Sequence, residues 1–105
     1  MRANAVPLDR LEARVGDAAR LLKLLANEAR LLILCRLAGE REMQAGALVD
    51  AVGLAQSAVS QHLARLREDG LVVTRRDGQI IYYRVVDKDA LRILALLKDI
   101  FCPQV

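Results

Sequence analysis

Residues 45–70 read AGALVDAVGLAQSAVSQHLARLREDG, and this stretch decides the fold. Ala47, Leu48, Ala51 and Val52 mark a short helix over about 45–52, ended by Gly53. After the turn Gly53-Leu54-Ala55, the apolar residues Val59, Leu63 and Leu66 recur at i, i+4 and i+7. They predict a second helix over about 56–68, closed by Asp69-Gly70. Two helices joined by a tight turn containing glycine form the helix-turn-helix pattern. With Val59, Leu63 and Leu66 turned inward, Ser57, Ser60, Gln61, Ala64 and Glu68 fall on the outer face.

The amino-terminal half of that outer face carries Gln56, Ser57, Ser60 and Gln61, side chains that both donate and accept hydrogen bonds. Such groups suit base edges and phosphates in a major groove. His62 sits between the inner and outer faces, and Arg65 and Arg67 flank the helix as candidate phosphate contacts. The plainer reading is a solvated helix surface. The neighbouring elements favour DNA recognition over it.

Working outward, Leu71-Val72-Val73-Thr74 and Ile80–Val85 read as two strands around the hairpin signal Asp77-Gly78. This hairpin, over about 71–85, follows the second helix where a wing would lie. Arg75, Arg76 and Gln79 bracket its tip and are candidates for backbone or minor-groove contact; solvated arginines are the alternative. Tyr82 and Tyr83 point to opposite faces of the strand. Asp87 or Asp89 caps a last helix over about 87–101, with Leu91, Leu94, Ala95, Leu97 and Ile100 apolar and Pro103 beyond it.

Upstream, residues 1–8 read as a loose arm. Asp9 caps a first helix over about 9–26, with Leu8 as staple, Glu12 in the first turn, and a stripe of Leu11, Val15, Ala18, Leu22 and Leu25. Asn27 caps a second helix through Ala38 that Gly39 ends. Leu31, Leu32, Ile33, Leu34 and Leu37 point in nearly all directions there, predicting a central buried helix. Glu40-Arg41-Glu42 reads as a charged loop. The expected class is mainly α with a small β-hairpin, in the order α-α-α-α-β-β-α, as a single winged-helix domain over residues 9–102.

Composition sets the bounds. A chain of 105 residues fits one domain, and 54% hydrophobic residues with 3% aromatics means a core of aliphatic side chains. The net charge of +3 permits nucleic-acid binding without establishing it. The apolar run Leu31–Cys35 is stopped by Arg36 and is too short to span a bilayer. The start Met1–Pro7 lacks a targeting pattern, so the expected location is cytoplasmic with no membrane partner. In that compartment Cys35 and Cys102 rest reduced. Two cysteines and one histidine make neither a zinc framework nor an acid–base pair, so neither an enzyme nor a resident cofactor is expected.

The run Leu54–Leu63, followed by Leu66–Val72 and Tyr82-Tyr83-Arg84, resembles the ArsR/SmtB family, and Leu24–Leu31 resembles that family's entry into its second helix. The resemblance covers nearly the whole chain. It implies a winged-helix homodimer, joined through the first and last helices, that represses genes from a pseudo-palindromic operator. Ala55 departs from the pattern, because relatives often place a capping Ser there. Metal-sensing members carry a Cys-x-Cys pair before the recognition helix, or Asp and His on the last helix. Residues 45–50 hold no thiol and residues 87–99 no histidine, so no metal site is expected.

The pair Cys35 and Cys102, with the ending Ile100-Phe101-Cys102, resembles the persulfide-sensing dithiol subgroup of that family, the BigR, SqrR and HlyU type. The resemblance implies that low-molecular-weight persulfides bridge the two cysteines within one subunit and that the bridged protein releases DNA. The competing reading makes Cys35 inert core, since unbonded cysteine is among the most buried residue types. Two further alternatives are a general thiol-oxidant or metal-responsive repressor, with Asp87, Asp89 or the cysteines as unusual ligands, and an architectural or protein-interaction dimer.

Overall fold

A computed structural model describes residues 5–103. Its elements run α1 (Asp9–Ala13), α2 (Val15–Leu25), α3 (Glu28–Glu40), β1 (Met43–Gln44), α4 (Ala45–Val52), α5 (Gln56–Glu68), β2 (Val72–Asp77), β3 (Ile80–Val85) and α6 (Lys88–Phe101). The expected helix-turn-helix, wing and last helix are all present. Residues 5–8 are exposed and outside regular structure; residues 1–4 of the expected arm lie outside the described residues.

The core forms around α3. Ile33, Leu34 and Leu37 are buried completely, and they meet Leu48 of α4, Val59, Leu63 and Leu66 of α5, Val72 and Val85 of the wing, and Ala90 and Leu94 of α6. Each buried aliphatic side chain of this size contributes about 1.5–3 kcal/mol of transfer free energy. Asn27 starts α3 as expected, its Oδ1 accepting from the Arg30 N–H at 3.0 Å. Of the two candidates for capping α6, Asp87 does so, accepting from the Ala90 N–H at 2.8 Å.

The first expected helix is broken in two. Arg14, at φ −117° and ψ 20°, interrupts it and separates α1 from α2. Asp9 does not cap it either: Leu8 holds the N-cap position without a side-chain bond, and Asp9 lies inside the first turn. At the other end of α3, Gly39 continues the helix through Glu40. The stop comes from Arg41, whose φ of 72° and ψ of −53° turn the chain sharply. That pairing of a positive φ with a negative ψ is the strained γ-turn region. Nor is α3 buried all round. Leu32 is 44% exposed and Cys35 is also exposed, because Ile33, Leu34 and Leu37 occupy the single inward face.

The turn at Arg41 directs the chain into β1, which falls between the expected charged loop at 40–42 and the expected helix from about 45. Met43 pairs with Tyr83 and Gln44 with Tyr82, so the sheet has three antiparallel strands in the order β1-β3-β2. The hairpin closes one residue later than its Asp-Gly signal implies. Asp77 still pairs with Ile80, leaving Gly78 and Gln79 as the two-residue loop. Gly78 alone has positive φ there, 64°, the pattern of a type II′ turn.

Two stability changes follow. Arg41→Gly removes the Cβ clash at positive φ, and the relief exceeds the added freedom of the unfolded chain. Urea unfolding is expected to show a gain of about 1 kcal/mol; a loss would mean that the turn is unstrained. Ala55, the N-cap of α5, has extended backbone and no side-chain acceptor. Ala55→Ser supplies one and is expected to stabilise by about 1 kcal/mol in the same assay.

Candidate functional site

The outer face of α5 is built as expected. Val59, Leu63 and Leu66 seat the helix on the core, which leaves Gln56, Ser57, Ser60 and Gln61 exposed along its first two turns. His62 is half-buried at the edge of that face. Since Ala55 offers no cap, the first amides of α5 have no side-chain partner from that residue. They lie next to Ser57 and Gln61, where helix N-terminal polarity favours a phosphate.

The flanking arginines are more committed than the sequence suggested. Arg65 reaches forward to the C-cap of its own helix, and its Nε donates to Asp69 at 2.9 Å. Arg75 is not at the wing tip but within β2, opposite Tyr82. Its Nε and one terminal nitrogen donate to both carboxylate oxygens of Glu42, at 3.2 and 2.6 Å, and its guanidinium lies 4.5 Å from the centre of the Tyr82 ring. These bonds hold the Glu42 carboxyl below its ordinary pKa and raise that of Arg75. Glu42 is the residue that sequence reasoning missed, because its partner lies 33 positions away on a strand pairing that had not been expected. Arg76 and Gln79 are exposed at the tip, and among the described residues Arg76 makes no salt bridge. Of the two tyrosines, Tyr83 packs against the core and Tyr82 carries Arg75.

The second candidate site lies on the opposite side of α3. Cys35 and Cys102 are both free and exposed, and both line one apolar groove of about 390 Å³ between α3 and α6. Leu31, Leu94, Leu97 and Phe101 form its walls and Lys98 its polar rim. Burial against these apolar side chains pushes the Cys35 thiol above its ordinary pKa. Arg36 does not offset that effect. Among the described residues, no three Cys, His, Asp or Glu side chains come together to hold a metal ion. Within the same residues, no helix is long and apolar enough to cross a membrane.

The model of the arsR family of bacterial regulatory proteins matches residues 27–74, from the cap of α3 into the wing. Over 96 residues the chain is 45% identical to the HTH-type transcriptional regulator YgaV of Escherichia coli, covering 91% of this chain and 97% of that protein. The crystal structure of the transcriptional repressor BigR from Xylella fastidiosa superposes with a TM-score of 0.85 at 37% identity, covering 94% of this chain and all of that one. Reduced HlyU from Vibrio cholerae superposes with a TM-score of 0.80 at 42% identity, over 90% of this chain and 99% of that one. With a helix-turn-helix and wing set on a shared helical core, and relatives this similar over nearly their whole length, the chain belongs to the arsR family of bacterial transcriptional regulators.

Proposed function

We propose that this regulator is a dimeric repressor whose DNA affinity is controlled by a sulfur bridge between Cys35 and Cys102, formed by low-molecular-weight persulfides. The observation that carries this reading is the common groove: thiols 67 positions apart in sequence open onto one apolar surface. Similarity to a structure described as reduced HlyU is in keeping with a redox-dependent regulator.

The chemistry balances with the persulfide itself as the oxidant. A cysteine thiolate takes the outer sulfur of a persulfide RSSH, releasing the thiol RSH and leaving a protein persulfide. The other thiolate then attacks the protein-bound sulfur. A Cys35–Cys102 disulfide forms and hydrosulfide leaves, so the two thiols are oxidised and the transferred sulfur is reduced. If both cysteines carry an extra sulfur before closure, the same expulsion of hydrosulfide gives a trisulfide. A disulfide requires Cα atoms within about 7 Å, and a trisulfide relaxes that demand.

The dimer rests on apolar surface that one subunit leaves uncovered. Val15 is 61% exposed, Leu22 55%, Leu96 57% and Phe101 76%, all on α2 and α6. The radius of gyration is 16.1 Å, against about 13 Å for a compact chain of this length. Pairing through the first and last helices sets two copies of α5 against a pseudo-palindromic operator with half-sites about 34 Å apart. Gln56, Ser57, Ser60 and Gln61 then face the major groove, with His62 at its edge. Arg65, Arg75, Arg76 and Gln79 lie beside the backbone. A bridge in the groove ties α6 to α3, on which α5 packs, and changes the separation of the two recognition helices.

Two measurements test this reading. Reduced protein is treated separately with glutathione persulfide, hydrogen peroxide and oxidised glutathione, then read by intact mass and by operator binding. A Cys35–Cys102 bridge is expected only with the persulfide, with at least tenfold weaker DNA binding, and none in Cys35→Ser or Cys102→Ser. Equal bridging by all three reagents would make it a general oxidant sensor; equal DNA affinity of both forms would end the switch. The second uses the pKa of Cys35. The thiolate is the reacting form, so a raised pKa means that its fraction still climbs steeply above neutrality. In Cys102→Ser, alkylation of Cys35 is expected to go on accelerating from pH 8 to 9 more steeply than that of a free cysteine thiol measured alongside. A profile that levels off as early as the free thiol's would contradict the burial effect.

A further inference from the structure

A second concave surface lies away from the cysteines, where α2, α3 and α5 converge. Its lining is Arg20, Lys23 and Leu24 of α2, Arg30 of α3, Arg65 of α5 and Asp69 just beyond α5, around a volume of about 390 Å³. Four cations from three helices thus face one space. The single carboxylate among them, Asp69, is already held by Arg65 at 2.9 Å. Arg20 also meets Asp17, which lies on its own helix and outside the lining.

Arg30 supplies an independent observation. Its Nε is shut off from solvent and has no hydrogen-bond partner in the protein, the one buried side-chain nitrogen or oxygen so placed among the described residues. Buried donors are nearly always satisfied, and a guanidinium nitrogen is a demanding one to leave bare. An oxyanion in the pocket would meet the Arg30 guanidinium where it lines the space, together with the other three cations. Arginine forks match phosphate geometry in pairs of parallel bonds.

The pocket is compatible with the proposed dimer. Val15 and Leu22 share one face of α2, whereas Arg20 lies about 160° and Lys23 about 100° around the helix from Leu22. Arg20 is therefore turned away from the apolar stripe, and Lys23 flanks it.

We propose that Arg20, Lys23, Arg30 and Arg65 form a phosphate-binding site, distinct from the recognition helix face and from the cysteine groove. Its occupant is a phosphate group. The source is either the DNA backbone flanking the half-site or a free phosphate-bearing small molecule, and the two are separable by experiment. The site does not depend on the sulfur switch, so failure of either leaves the other standing.

The test is NMR of the arginine Nε–Hε groups in the full-length protein, with the Arg30 signal assigned by its loss in Arg30→Lys. Inorganic phosphate is titrated against chloride at constant ionic strength. An operator duplex selected from a random pool is added in a separate arm. The exposed double variant Arg20→Gln with Lys23→Gln serves as control, its folding checked by the unchanged remainder of the spectrum. Saturable movement of the Arg30 signal with phosphate, lost in the double variant, is the expected result. If the same signal also moves with DNA, and the double variant lowers the slope of log affinity against log salt by about 1 to 2, the DNA backbone is the source. Movement with phosphate and an unchanged slope assigns a free phosphate ester. An Arg30 signal that stays fixed under both probes overturns the site.

Discussion

Every functional surface of this chain depends on how α3 is buried. Three residues, Ile33, Leu34 and Leu37, take the whole inward face of that helix, and the core from α4, α5, the wing and α6 closes over them. A helix presents one face at a time, so filling this one with the largest aliphatic side chains forces Leu32, Cys35 and Arg36 outward. The same packing seats α5 through Val59, Leu63 and Leu66 and so aims Ser57, Ser60 and Gln61 at solvent. The reading head and the exposed thiol are two consequences of one packed interface.

That dependence explains which features were legible in the sequence. The bounds of α4 and α5 were readable because their glycine and aspartate stops and their i, i+4, i+7 pattern act locally. The wing was readable for the same reason, and the cap of α6 to within two candidates, Asp87 and Asp89. Features set by non-local partners were not. An Arg14 break within a continuous amphipathic pattern leaves no periodicity signal. β1 is only Met43 and Gln44, and it exists because β3 offers an edge to pair with. Gly39 looked like a helix stop, yet the chain turns at Arg41, where no glycine marks the positive φ. The competing reading of Cys35 as inert core rests on an apolar helix, but which face is inward is decided by the other helices, and Cys35 is exposed.

The candidate site shows the same division. The polar residues of α5 follow from helical spacing alone. What the arginines do does not, because charge partners are chosen in three dimensions. Arg75 belongs to Glu42 and Tyr82, and Arg65 to Asp69, in the DNA-free chain. Exposed pairs of this kind contribute little to stability, with a median near 0–1 kcal/mol. They are therefore cheap to exchange for phosphate contacts, while they hold the long side chains in place beforehand. An arginine already extended by a carboxylate loses less conformational freedom on meeting DNA than a free one.

The apolar groove places a physical constraint on the thiol chemistry. Burial that raises the Cys35 pKa lowers the fraction of reactive thiolate near neutrality, which argues against Cys35 as an indiscriminate scavenger. A thiol of this kind reacts usefully only if the reagent is delivered to it or if a second thiol does the first chemistry. Cys102, at the end of α6 and on the same groove, is placed to do that. In this reading Cys102 captures the sulfur and Cys35 closes the bridge intramolecularly, where proximity offsets a low thiolate fraction. A sulfenic acid or a glutathione mixed disulfide on Cys102 would be open to the same attack, with water or glutathione leaving. Preference for persulfides in this reading therefore has to arise where Cys102 first meets the reagent.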